Sequence, residues 1–254
     1  MEFISKAQAK RETGLSYLGG VATSSKIKKG LKYDEMTYII YLAPAKMSGF
    51  EVCPMRTAEC TAACLNESGH NKIDIHENKI NKSRITKTKL FFEQRDFFMH
   101  WLVDEIASAA KKAQREGMTF SVRLNGTSDL SPEIFKLNGK NILEIFPSVQ
   151  FYDYTKVFNR IRLTSKYPNY DLTFSYSGEN MTETIAALDS GVRAAIVFEE
   201  VPESYLGRTV IDGDEYDMRY VDNSDVIVGL KYKKVRNKID FKTNKFVVSK
   251  ESIL

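Results

Sequence analysis

DLTFSYSGENMTETIAALDSGVRAAIVF, residues 171 to 198, reads as one complete strand–helix–strand unit. DLTFSY (171–176) and RAAIVF (193–198) have the length and the β-branched and aromatic content of strands. ENMTETIAALDSG (179–191) between them reads as a helix stopped by Gly191. Two strands joined through a helix run parallel, and their connection crosses over one face of the sheet.

Working outward, further strand-length runs recur: TYIIYLA (37–43), TFSVRL (119–124), VQFYDY (149–154), RTVID (208–212) and DVIVGL (225–230). Several are apolar throughout, the pattern of strands covered on both faces. LFFEQRDFFMHWLVDEIASAAKKAQREG (90–117) predicts one long helix with Phe91, Phe92, Arg95, Phe98, Trp101, Leu102 and Ile106 on a stripe and Gly117 as its stop. SPEIFKLNG (131–139) predicts a helix opened by Ser131 and Pro132, and NILEIF (141–146) a shorter one. Strands alternating with helices predict an α/β fold, a partial (β/α) barrel of about six or seven mostly parallel strands with the cysteine loop after the first. The expected layout is a basic N-terminal extension (1–36), a single α/β domain (37–232) and a basic C-terminal tail (233–254).

The 254 residues carry 37 basic and 33 acidic side chains, a net charge of +4, too mild to require a nucleic-acid partner. Nothing approaches the roughly 20 apolar residues of a membrane span. MEFISKAQAKRETG lacks the apolar core of a secretory signal, so the cytoplasm is the expected location. All three cysteines fall in CPMRTAECTAAC, from Cys53 to Cys64. An odd, tightly spaced set in a reducing compartment points to metal or redox chemistry rather than disulfides. Thiolates are soft ligands for iron–sulfur clusters or zinc. A closed zinc site needs a fourth ligand, for which His70 or His76 is nearest, whereas a [4Fe-4S] cluster held by Cys53, Cys60 and Cys64 keeps one iron open. Burial of all three as ordinary apolar side chains is the third reading.

Parallel sheets bind ligands at the C-terminal ends of their strands. Here those ends carry Asn125, Thr127, Ser128 and Asp129 after TFSVRL, Asp153 and Lys156 in and after VQFYDY, and Ser177, Glu179 and Asn180 after DLTFSY. Together they predict a pocket for a small-molecule or nucleotide substrate.

The series YLAPAKMSGFEVCPMRTAECTAACLN, KTKLFFEQRDFFMHWL, RLNGTSDL, VQFYDYTK, LTFSYSGEN and VIDGDEYDMR resembles the bacteriophage gene-product-88 family, over roughly residues 35 to 232. That resemblance implies a phage origin and expression in the bacterial cytoplasm. More distantly, three cysteines after the first strand of a partial barrel look like radical S-adenosylmethionine enzymes. That likeness implies Cys53, Cys60 and Cys64 as cluster ligands and the NGTSD and SGEN residues as cofactor or substrate contacts.

No phosphate-binding G-x-x-x-x-G-K-[ST], H-E-x-x-H, nucleophile elbow or zinc-deaminase signature is present. DGDEYD (212–217) reads either as a magnesium site or as an Asp-Gly turn. Two functions remain. One is a three-cysteine iron–sulfur enzyme, with S-adenosylmethionine as the cofactor that fits an open iron. The other is a metal-stabilised nucleic-acid-binding protein for phage replication or host takeover, with weak contacts through the basic ends and through Lys72, Lys79, Lys82, Arg84, Lys87 and Lys89.

Overall fold

The computed structural model describes residues 6–21, 25–64, 79–234, 239–241 and 243–252. In chain order the elements are α1 (Lys6–Thr13), β1 (Gly19–Gly20), α2 (Ser25–Gly30), β2 (Glu35–Ile40), α3 (Ala58–Ala62), α4 (Lys79–Glu93), α5 (Arg95–Arg115) and β3 (Thr119–Arg123). There follow β4 (Lys136–Leu137), β5 (Lys140–Asn141), α6 (Ile142–Ile145), β6 (Gln150–Thr155), α7 (Leu163–Lys166), β7 (Tyr170–Ser175) and α8 (Met181–Asp189). The chain closes with β8 (Ala194–Phe198), β9 (Ser204–Tyr205), β10 (Arg208–Asp212), β11 (Ile227–Lys231) and β12 (Val247–Val248). Two compact units result, Met1–Pro54 with Glu77–Phe151, and Met55–His76 with Tyr152–Leu254.

In the first unit β2 pairs parallel with β3, and Gln150 and Phe151 at the start of β6 pair parallel with Ser121 and Val122 of β3. All six residues of β2 are buried, Glu35 and Thr37 included, as in a strand covered on both faces. Helix α5 packs on β1, β2 and β3. It buries Phe97, Phe98, Trp101, Leu102, Ile106 and Ala113, one face at helical spacing. Its Glu105 is buried as well, and its carboxylate accepts hydrogen bonds from Leu18 N, Gly19 N and Tyr38 Oη. Those bonds tie β1 to the sheet. Burial, reinforced by the Glu105 charge, pushes the Tyr38 hydroxyl well above its ordinary pKa.

In the second unit β7, β8, β11 and β10 are successive parallel neighbours, and the later residues of β6 lie beside β7. Helix α8 connects β7 to β8, as the opening stretch predicts. Leu188, Ala194, Ile196, Phe198 and Ile227 form the core there with Val248. Val248 belongs to β12, which comes from the basic tail and pairs parallel with Val197 and Phe198 of β8.

The chain is therefore mixed α/β with mostly parallel strands, but the expected partial barrel is corrected to open sheet order. Closure requires edge strands to find each other. The terminal strands of the two units, β1 and β9, are two-residue antiparallel pieces paired on one side only. Two helix predictions are also corrected. The 90–117 helix is two helices, because Gln94 leaves helical geometry at φ −137°, ψ 56°. The break lets Phe91 of α4 meet Phe98 of α5 edge-on, with centroids 5.3 Å apart. The 131–139 segment is a short 3-10 turn followed by the β4–β5 hairpin, because Asn138 and Gly139 both take positive φ, 51° and 82°. An Asn-Gly pair in that conformation is a hairpin turn.

Candidate functional site

In the first unit the NGTSD loop folds over the end of β2. Gly126 is required there, since a Cβ would stand 2.6 Å from Ile40 O and 2.7 Å from the Tyr41 ring. Buried Asn125 closes the loop: its Oδ1 accepts from Leu130 N at 2.9 Å and Ser128 Oγ at 2.8 Å, while its Nδ2 donates to Leu130 O at 3.0 Å. Thr127 Oγ1 donates to Leu42 O at 2.5 Å, and Asp129 N to Val52 O at 2.7 Å. Cys53 sits against this loop, its Sγ 3.9 Å from Thr127 O and its backbone N donating to Glu51 Oε1 at 2.9 Å. An apolar cavity of about 40 Å³ is lined by Ile40, Phe98, Leu102, Leu124 and Phe135, with Asn125 as its polar member. It is the size of a few waters and is too small for a substrate.

The second unit holds the other rim residues. Thr57 caps α3: its Oγ1 accepts from Cys60 N at 3.1 Å and donates to Ser177 O at 2.7 Å. The Cys60 helix is thereby fastened to the end of β7. Ser177 is buried, and its N donates to Asn180 Oδ1 at 2.7 Å, while Asn180 Nδ2 donates to Ser175 O at 3.2 Å. Lys156 Nζ donates to Ser175 Oγ at 3.0 Å and lies 5.8 Å from the Phe246 ring centroid. Glu179 is exposed. Asp153 is buried in a structural network in which Tyr170 Oη donates to its Oδ2 at 3.1 Å and accepts from Arg160 Nη2 at 2.8 Å.

All three thiols are half-buried and outside any disulfide. Cys60 packs against Ala63, Phe246 and Val247, and Cys64 closes the turn after α3 with its N donating to Thr61 O at 3.2 Å. Soft donors in accessible positions suit a thiophilic metal centre. Among the described residues no three His, Cys, Asp or Glu side chains are grouped to hold a metal ion. His70 and His76, the alternative zinc ligands, lie outside the described residues, as does Lys72. In DGDEYD the turn geometry is present: Asp212 Oδ1 accepts from Asp214 N at 2.7 Å, and buried Asp217 accepts from Tyr152 Oη at 3.0 Å.

Sequence reasoning missed Thr57 and the tail residues Asn244 and Phe246. Asn244 Nδ2 donates to Glu59 O at 3.4 Å, and its Oδ1 accepts from Phe246 N and Val247 N, both at 3.1 Å. Gly178, at φ +95°, is pressed to this tail, where a Cβ would stand 2.9 Å from Phe246 N. The apolar run FVV (246–248) inside a basic tail was the available signal.

No helix among the described residues is long and apolar enough to cross a membrane. A family model described as Gene product 88 matches residues 5–246. No curated protein and no solved structure matches the chain.

Proposed function

We propose that the chain, which belongs to the Gene product 88 family, is an iron–sulfur protein whose cysteine loop carries the cluster and whose strand ends bind a small polar substrate. The Thr57 Oγ1 bond to Ser177 O carries this reading, because it seats the Cys60 turn at the C-terminal end of β7. Ligands bind at that edge of parallel sheets. Cys53, Cys60 and Cys64 are the cluster ligands, three soft donors within one twelve-residue loop. When bound, such a cluster supplies an electron or an open iron, and S-adenosylmethionine is the ligand this reading assigns to that iron. Thr57 orients the Cys60 turn, Asn180 holds the Ser177 backbone, and Lys156 places a positive charge beside β7 for an anionic group of the substrate.

The test is purification and reconstitution without oxygen, with iron, sulfide and zinc measured. Brown protein with close to four irons per chain is expected, and Cys60→Ala or Cys64→Ala should remove the visible absorbance while far-UV circular dichroism is retained. Colourless protein after reconstitution, or one tightly held zinc per chain, overturns the proposal. Calorimetry with S-adenosylmethionine on reconstituted protein tests the assigned ligand.

A further inference from the structure

Helix α4 carries the basic run KINKSRITKTK (79–89), whose cations read in sequence as contacts along a nucleic-acid backbone. The structure divides those cations. Lys79, Lys82 and Lys89 are exposed and Arg84 is half-buried. Lys87 is only 6% exposed, and it is the one buried lysine among the described residues. Its ammonium has no hydrogen bond or ion pair there, and it faces the Tyr17 ring with Nζ 5.0 Å from the centroid. Glu105 lies within electrostatic reach, but its oxygens are engaged by Leu18 N, Gly19 N and Tyr38 Oη. Arg84, three residues earlier on the same helix, stacks its guanidinium over the Tyr41 ring, 5.0 Å from the centroid. Burial first, and the Arg84 charge after it, lower the Lys87 pKa to about 8. Nζ itself is not among the fully buried unpaired atoms, so the ammonium of this largely buried side chain reaches solvent without a protein acceptor, and an anion beside it offsets the cost of its partial desolvation.

We propose that Lys87 and Arg84 bind the phosphate of a nucleotide whose base stacks on Tyr17. Two cations on successive turns of α4 match the charge of a phosphate. Tyr17 is 55% exposed, so its ring offers a stacking surface beside the ammonium. The site lies wholly in the first unit and is independent of the cysteine loop. A free nucleotide and a single-stranded nucleic acid share this chemistry, and the experiment separates them.

Binding of inorganic phosphate, adenosine 5′-monophosphate and a labelled single-stranded oligonucleotide is measured by calorimetry and fluorescence anisotropy at two salt concentrations. Lys87→Met should weaken the nucleotide about tenfold to a hundredfold, the loss of one charge-assisted contact. Tyr17→Ala should weaken the nucleotide but leave phosphate unchanged. If the ligand is a strand, the oligonucleotide binds more tightly than the mononucleotide, and Lys87→Met flattens the logarithmic salt slope by about 0.7. Equal affinities for the two assign a free nucleotide. A cooperative melt verifies that Lys87→Met is folded, and Arg84→Met gives the same reading from a half-buried position if it is not. No binding by the unaltered protein, or binding by Lys87→Met and Arg84→Met as tight as that of the unaltered protein, overturns the site. Phosphate bound as tightly as the nucleotide overturns the base contact.

Discussion

Replacing Thr57 by valine keeps the branched shape and deletes one hydroxyl that serves two partners. Cys60 N loses its acceptor at the start of α3, and the carbonyl of buried Ser177 loses its donor. A lost N-cap and an orphaned buried carbonyl each cost about 1 kcal/mol, so the variant should be destabilised by about 2 kcal/mol. The urea midpoint, followed by circular dichroism, should fall by roughly 0.7 M at unchanged slope. Because the lesion frees the Cys60 turn, labelling of Cys60 by a thiol reagent should accelerate about thirtyfold, the same free energy expressed as local opening. Cys53→Ser/Cys64→Ser should serve as the background, so that only Cys60 reports. Thr57→Ser retains the hydroxyl and should stay close to the parent in both assays. If valine and serine at 57 behave alike, α3 is not held through this hydroxyl and the seating of the cysteine turn has been misassigned.

Lys87 also makes stability depend on pH. Its folded pKa of about 8 lies below the ordinary lysine value of 10.5, so between these limits the unfolded chain binds the extra proton and stability rises with pH. Above about pH 10 the buried Tyr38, whose pKa is raised, opposes the trend, which leaves pH 8 to 10 as the window to measure. Lys87→Met should stabilise the protein at pH 7 by roughly 3 kcal/mol and flatten that rise; calorimetric melts across the window give both quantities. Gly126→Ala should destabilise by about 1–3 kcal/mol, because its Cβ meets the Ile40 carbonyl, which cannot move without disturbing β2; the readout is the midpoint of a thermal melt.

What could be read from the sequence was whatever is decided locally. The 171–198 unit appears as predicted because strand length, helical spacing and the Gly191 stop all lie within one short window. Barrel closure depends on which edges meet, and no local pattern encodes that. In 131–139 the Ser-Pro helix signal and the Asn-Gly hairpin signal compete, and the hairpin won because positive φ at two successive residues leaves no helical alternative. The break at Gln94 has no Pro or Gly to mark it; it follows from packing Phe91 against Phe98 and Phe135. At the site, the strand-end positions were legible, but the division of labour was not. Asn125, Asp153 and Ser177 are polar residues after or within strands like any ligand contact, and only their partners show that they hold loops and buried networks together. Lys87 reads with its neighbours as one more contact along a nucleic-acid backbone, since a run of cations does not reveal which member turns inward.

The pairing of β12 with β8 also sets a timetable for synthesis. Val197 and Phe198 leave the ribosome well before Val247 and Val248, so the growing chain holds β8 without one of its parallel partners while the intervening segment is made. During that interval Ala63 and Cys60 lack the cover that Phe246 and Val247 later give them. Apolar surface exposed on an incomplete chain is what chaperones recognise and what drives aggregation. The second unit thus acquires its cysteine turn in finished form only after Asn244 and the residues behind it have emerged, which makes this turn a late product of translation although its own codons are read early.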